Sequence, residues 1–371
     1  MLRVAIVGCG KIADAHASQI LRLPGVEIVG ACDTEPLMVR QFMDRFPVRR
    51  GFTDLDELIR EAQPNVIHVT APPHVHFAIA LRCLEEGCHV YVEKPFTLSE
   101  READRLIDCA NRNGLRITSG HDDQFTHAAR RMRSLIESGY LGSGPVHMES
   151  YYCYDLGATA YAHAALSDKQ HWVRQLPGGL LQNIISHGIA RIAEFLDGDA
   201  LGVMAHGFTS NGLRERGETQ LIDELRVIIC QSERVTAYFT FSSQMRPGLH
   251  QFRIYGTQNG LFLDHDQETL IRLPGRRLPS YAEMFVSPVE LAQQQLGNVL
   301  INLKMFLRSD FHMKSGMGFL IKSFYRAIVD NTPDPIPHRE ILLTARIMDT
   351  IFAQLNSARS QGEMKLPHLV H

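Results

Sequence analysis

Asn183 and His187 stand four residues apart in the apolar run GGLLQNIISHG, residues 178–188. On a helix both side chains leave one face, one turn apart. An amide beside an imidazole can orient a hydroxyl and take its proton, or the two can simply satisfy each other in a core. A second set opens the chain, where a strand-like run enters GCGKIA; Gly8, Gly10 and Ala13 match G-x-G-x-x-[GA]. Gly8 permits the tight turn, and Gly10 lets the backbone approach a pyrophosphate at the next helix N-terminus. The following strand-like run ends on Asp33, close to the ~20-residue offset of a carboxylate that bonds an adenosine ribose. That acid repels a 2′-phosphate, and Thr34 and Glu35 bring no cation, so NAD is expected rather than NADP. The third set is Glu93-Lys94-Pro95, closing another strand-like run. A lysine there can polarise or deprotonate a hydroxyl, because desolvation and a cationic nicotinamide ring both lower its pKa.

The elements that must hold these residues alternate. RVAIVG, VEIVGAC, NVIHVT, CHVYVE and LRITSG are short, β-branched runs separated by helical stretches that end in glycine, such as Gly87 and Gly114. Such alternation predicts right-handed crossovers and a mostly parallel sheet covered on both faces. From residue 145, and again over 200–273, longer alternating runs without helices between them predict an antiparallel sheet with one face free. The expected fold is α/β: a Rossmann dinucleotide-binding domain over 1–120, then an α/β domain over 121–371. The second carries a large, mostly antiparallel open sheet and a closing helix, HREILLTARIMDTIFAQLNSA.

The strand–GxGxxA–helix, Pro72-Pro73-x-x-His76, Glu93-Lys94-Pro95 after HVYV, and a later Gly-Gly-x₃-Asn-x₃-His together resemble the glucose–fructose oxidoreductase / inositol dehydrogenase (Gfo/Idh/MocA) family. FRIYGTQNGLFLD and the tail ARSQGEMKLP are also similar to family elements, so the resemblance spans nearly the whole chain. It implies reversible, NAD(P)-linked oxidation of a sugar, cyclitol or nucleotide-sugar hydroxyl, with Lys94 as the active-site lysine and His187 as the catalytic histidine. It also implies a cis peptide before Pro95. Expected cofactor contacts are Gly8, Gly10, Lys11, Ile12, Asp33, Ala71, Pro72, His76, Glu93 and Gln124. Asn183 departs from the family's usual aspartate, and Gln124 from an arginine before the phenylalanine. Asparagine orients and hydrogen-bonds but brings no negative charge. Some nucleotide-sugar dehydrogenases of the family are similar in this respect.

Trp172 and Arg174 resemble a family element before the glycine pair. Arg174 suits a substrate phosphate or carboxylate, and a salt bridge holding its loop is an equal alternative. Tyr154, in YYCYDLG, suits a sugar face or simple strand packing. Asp122 and Asp123 fit a helix start better than catalysis. Residues 289–307 place Leu296, Val299, Leu300, Leu303 and Phe306 at helical spacing beside Lys304, Arg308 and Lys314; core packing or an oligomer face leads, ahead of a lid or a membrane contact.

With 371 residues, 44% apolar and 21% charged, the chain suits two globular domains. A net charge of −3 gives no electrostatic reason to expect nucleic acid or an acidic membrane. Seven scattered cysteines form neither a disulfide framework nor a zinc set, and no His-Glu-x-x-His accompanies the histidines, so no metal is expected. Without a leader-like or membrane-spanning run, a cytoplasmic homodimer or homotetramer assembled through the open sheet is expected. Two further activities compatible with these residues are an NAD-dependent glycosidase that oxidises its sugar transiently and a dinucleotide-binding sensor without catalysis.

Overall fold

The computed structural model describes residues 1–156, 166–198, 201–232, 234–276, 278–311 and 314–360. Most of the tail resembling the family's closing turn, from residue 361 on, lies outside the described residues. The chain divides into two compact units, Met1–Phe125 with Met313–Arg346, and Thr126–His312 with Ile347–His371.

The first unit is built from β1 (Leu2–Val7), α1 (Lys11–Ile20), β2 (Val26–Cys32), α2 (Pro36–Arg45), β3 (Gly51–Phe52), α3 (Leu55–Ala62), β4 (Val66–Val69), α4 (Pro73–Glu85), β5 (His89–Val92), α5 (Glu100–Arg112) and β6 (Ile117–Ser119). The strands pair in the order β3-β2-β1-β4-β5-β6, all parallel. This is the doubly wound order whose reversal between β1 and β4 opens a ligand crevice at the strands' carboxyl ends. Val4, Ile6, Ile67 and Val90 are fully buried, as strands covered by helices on both faces require. Asp54 caps α3 and Ser99 caps α5, each accepting from the backbone three residues on.

The second unit begins with α6 (His127–Glu137) and β7 (His147–Cys153), followed by α7 (Leu180–Ile184), α8 (Ser186–Ala193), β8 (Leu201–Phe208) and the single turn α9 (Asn211–Arg214). Strands β9 (Glu224–Gln231), β10 (Val235–Ser242), β11 (Leu249–Tyr255), β12 (Asn259–Asp264) and β13 (Thr269–Pro274) and the long α10 (Ser280–Leu307) complete it. Its seven strands run β13-β12-β11-β7-β10-β9-β8. Every pair is antiparallel except β7–β10, so the sheet is mixed. One face buries Phe239, Phe241 and Phe252, while the opposite face exposes Met204, Ile228 and Tyr238. Both edges are closed by amide side chains. Gln354, from α12 (His338–Ser360), donates to Val203 O and accepts from Ala205 N on β8, and Gln294 of α10 does the same for both backbone groups of Arg272 on β13.

Two differences from the sequence reading follow from long-range packing. Residues 313–346 return to the first unit. There α11 (Ser315–Val329) buries Met317, Leu320, Ile321 and Phe324 in the parallel sheet's core, a stripe of helical period that carries no sign of which sheet it covers. The stripe at 289–307 is not core: Leu296, Val299, Leu300, Leu303 and Phe306 are all more than half exposed.

Candidate active site

In the first unit the β1–α1 turn and the β4–α4 turn abut. Gly8 has φ +97, and a Cβ there would lie 2.5 Å from Ala71 N, so only glycine fits. At Gly10 a Cβ would meet nothing within 4 Å, which leaves room over the helix start for a ligand. No side chain caps α1 at Gly10, and its opening N–H groups, on Lys11 and Ile12, face the turn. Asp33, just past β2, accepts from Cys9 N through Oδ2 (2.8 Å) and from Glu35 N through Oδ1 (3.0 Å). Each oxygen keeps acceptor capacity for a ribose hydroxyl. Open space at Gly10, an uncapped helix N-terminus and a carboxylate fixed against the same turn fit a dinucleotide.

Around Lys94 the structure assembles more than the spacing showed. The Lys94–Pro95 peptide is cis, as the resemblance implied. Glu93, expected against the cofactor, is instead buried: Oε1 lies 2.8 Å from His16 Nε2 and Oε2 accepts from Lys94 N. His16 Nδ1 meets His68 Nδ1 at 2.8 Å, and His68 Nε2 meets the Tyr325 hydroxyl at 2.8 Å. Burial favours a neutral carboxyl at Glu93, but the hydrogen bond and charge of His16, with Lys94 and Lys314, outweigh it and hold the pKa at about 2. An ionised Glu93 only accepts, so the network assigns the His16 proton to Nε2. His68, a neutral ring, joins His16 Nδ1 to the Tyr325 hydroxyl through its two nitrogens. Burial holds the His68 pKa well down, consistent with that neutral ring.

Lys94 is itself half-buried. Burial lowers its pKa and Lys314 adds to the effect, while Glu93, Asp122 and Asp123 oppose it. Lys314 lies 3.7 Å from Asp122, whose pKa burial raises to about 7 against the pull of that lysine. Asp122, assigned by its spacing to a helix start, does open the 3₁₀ turn Asp122–Phe125, and it is buried beside Lys314. Gln124 is buried in the same turn. His76, expected on the cofactor, is 1% exposed and aims its ring nitrogens at the carbonyls of Ala71 (2.7 Å) and Pro95 (2.9 Å). It clamps two loops of the crevice, including the one that starts α4 at Pro72.

In the second unit, Asn183 is the next-to-last residue of α7 and His187 the second of α8, with Ile185 at the joint between them. The expected single helix is therefore two short ones, although the two residues remain one turn apart. His187 is 8% exposed and stacks on Tyr152 (centroids 5.9 Å), which in turn contacts Tyr154 and His250. Gly188 allows this close seating: a Cβ there would strike Phe239 at 2.4 Å, and Ser150 Oγ donates to Gly188 O. Arg174 forms a salt bridge with Glu218 at 2.7 Å. It lines a cavity of about 600 Å³ with Gly178, Gly179, Thr219, Gln220 and Asn356. Trp172 packs beside His171.

His16, His68, Tyr325 and Lys314 were missed because their partners are remote in sequence; only Lys314, noted as a nearby cation, left any trace.

A glycine turn at the switch of a doubly wound sheet, an acid at the end of β2 and a half-buried lysine at the end of β5 define a dinucleotide-binding Rossmann domain. The model of the "Oxidoreductase family, NAD-binding Rossmann fold" matches residues 2–121, and that of the "GFO/IDH/MocA C-terminal domain" matches 129–262. The chain belongs to the Gfo/Idh/MocA family. It is 33% identical over 141 residues, 38% of this chain and 36% of the relative, to a 1-carboxy-3-chloro-3,4-dihydroxycyclohexa-1,5-diene dehydrogenase of Comamonas testosteroni. It is 29% identical over 142 residues, 38% and 40% of the two chains, to a D-glucoside 3-dehydrogenase of Escherichia coli. The match thus spans about two fifths of these relatives. The WlbA dehydrogenase of Bordetella pertussis, solved with NADH and UDP-GlcNAcA, shares the fold at a TM-score of 0.75 and 15% identity, over 97% of this chain and 96% of that one. Among the described residues no helix is long and apolar enough to cross a membrane.

Proposed function

We propose that this protein is an NAD-dependent dehydrogenase that oxidises a hydroxyl of a sugar, cyclitol or nucleotide sugar. The observation that carries this reading is Lys94, half-buried at the carboxyl edge of the parallel sheet, its pKa lowered by burial, with Glu93 behind it tied into a buried hydrogen-bonded chain. NAD, when bound, accepts or returns the hydride. Lys94 takes the hydroxyl proton as the carbon is oxidised. His187 shares the proton-handling, and Asn183 orients the hydroxyl without adding charge. The relatives' names, a glucoside dehydrogenase and a dehydrogenase solved with a nucleotide sugar, support the substrate class. Arg174, with Tyr154 and Trp172, belongs to the substrate side of this reading. A cytoplasmic homo-oligomer through the exposed sheet face around Met204, Ile228 and Tyr238 completes it.

The test is purified protein with NAD against a panel of sugars, cyclitols, glycosides and nucleotide sugars, following NADH absorbance and product mass. NADH formed in step with a ketone supports the proposal. Glycoside cleavage without NADH would assign the site to a hydrolytic reaction. Tight NAD binding with no turnover on any member would make it a sensor.

A further inference from the structure

Glu93 carries its charge where water hardly reaches it. It is 6% exposed, and a Cβ added at Gly120 would lie 3.0 Å from its Oε1, so the chain just past β6 closes over the carboxyl. Tyr91, fully buried, stands edge-on to His16 (ring centroids 5.1 Å) and stacks on His68 (4.7 Å). A buried carboxyl without donors becomes neutral. Among the described residues, two groups donate to Glu93: the backbone N–H of Lys94 at 3.1 Å and the ring of His16 at 2.8 Å. His16 is thus the one side chain bonded to it. The His16 ring is itself fixed, fully buried with its other nitrogen on His68, which ends on Tyr325. All of these residues belong to the first unit. A packing role alone would ask for a ring of this size, not for two nitrogens each bonded at 2.8 Å.

We propose that His16 is a positioning residue for Lys94 that acts through Glu93: it keeps a carboxylate, rather than a neutral carboxyl, beside the lysine. The charges that face Lys94 are Glu93, Lys314, Asp122 and Asp123. Glu93 leads those that favour the ammonium, Asp122 and Asp123 add to it, and Lys314 opposes it. Asp122 is a poor substitute, since burial raises its own pKa to about 7 even with Lys314 at 3.7 Å. Glu93 in turn faces His16, Lys94 and Lys314, and His16 leads the pull that overrides burial. Without His16, only the two lysines and one backbone N–H oppose burial, and the carboxyl takes up a proton at higher pH. Lys94 then loses its opposite charge and sheds its own proton at lower pH. A proton-transfer group works best with its pKa near the operating pH. In the dehydrogenase reading, on which this consequence rests, His16 keeps burial from stripping Lys94 of the proton that the reverse reaction needs.

The experiment is an NMR titration of the full chain with lysine labelled at its ε carbon, the Lys94 signal being the one missing from Lys94→Met. His16→Phe keeps a ring and removes both bonds. It and Glu93→Gln are each expected to lower the Lys94 midpoint by about one pH unit or more. His16→Gln, whose amide can still donate to the carboxylate, is expected to hold the wild-type midpoint. His16→Phe combined with Glu93→Gln is expected to fall no further than Glu93→Gln alone, because both act through one group. A wild-type midpoint in Glu93→Gln or in folded His16→Phe would overturn the proposal, as would two effects that add. If His16→Phe does not fold, a midpoint that holds in Glu93→Gln or falls in His16→Gln overturns it equally. The titration needs no turnover, so it separates this proposal from the dehydrogenase reading. A lowered midpoint in His16→Phe with an unmoved acid limb of kcat/KM supports the role of His16 and takes Lys94 out of the proton transfer.

Discussion

His16 holds Glu93 through Nε2 and His68 through Nδ1, both at 2.8 Å, so one buried imidazole links α1, β4 and the residue before Lys94. Because Tyr325 ends the same chain of bonds, α11 is fastened to the parallel sheet at that point too.

The first prediction concerns stability. Glu93 has a folded pKa of about 2 against an ordinary 4.5. In that window the unfolded chain binds more protons, so stability rises with pH there and is lost as pH falls through it. The shift corresponds to about 3 kcal/mol. Urea unfolding between pH 2 and 6 is expected to show this slope in the wild type and lack most of it in Glu93→Gln. Parallel slopes would show that Glu93 is not ionised in the fold.

Lys94→Met is expected to lower kcat by ~10²–10⁴-fold while NAD affinity and melting temperature hold. Asp122→Asn removes a charge that supports protonated Lys94, so the acid limb of the kcat/KM–pH profile is expected to move to lower pH. A limb that stays in place would take Lys94 out of the proton transfer.

In the proposed function Asp33 sets cofactor choice, its two oxygens being fixed against Cys9 N and Glu35 N. Asp33→Ser with Thr34→Arg is expected to shrink the NAD-over-NADP preference by roughly tenfold or more, about 1.4 kcal/mol per decade. Calorimetry with both dinucleotides measures it, and equal wild-type affinities would refute the role.

His187→Ala is expected to abolish oxidation and Asn183→Ala to reduce it strongly. Asn183→Asp is expected to stay active with its pH optimum moved upward, since an added carboxylate raises the basicity of neighbouring groups. Superimposable wild-type and Asn183→Asp profiles, or full activity in His187→Ala, would leave this helix pair with a packing role alone.

What the sequence by itself determined is local. Gly8 before a helix, Asp33 closing β2 and Lys94 closing β5 were legible because turn geometry, strand period and helix capping act over a few residues. The tertiary structure decided the rest. It set Lys314 beside Asp122 and Tyr325 on His68, 257 residues apart in sequence, and buried Glu93 and His76 in hydrogen bonds to His16 and to the carbonyls of Ala71 and Pro95. It also turned the 289–307 stripe outward. Helical period shows that a helix has an apolar face, but which face is buried depends on the partner available. Here the partner is a strand edge, whose unpaired N–H and C=O groups bind amides and leave the leucines to the other side.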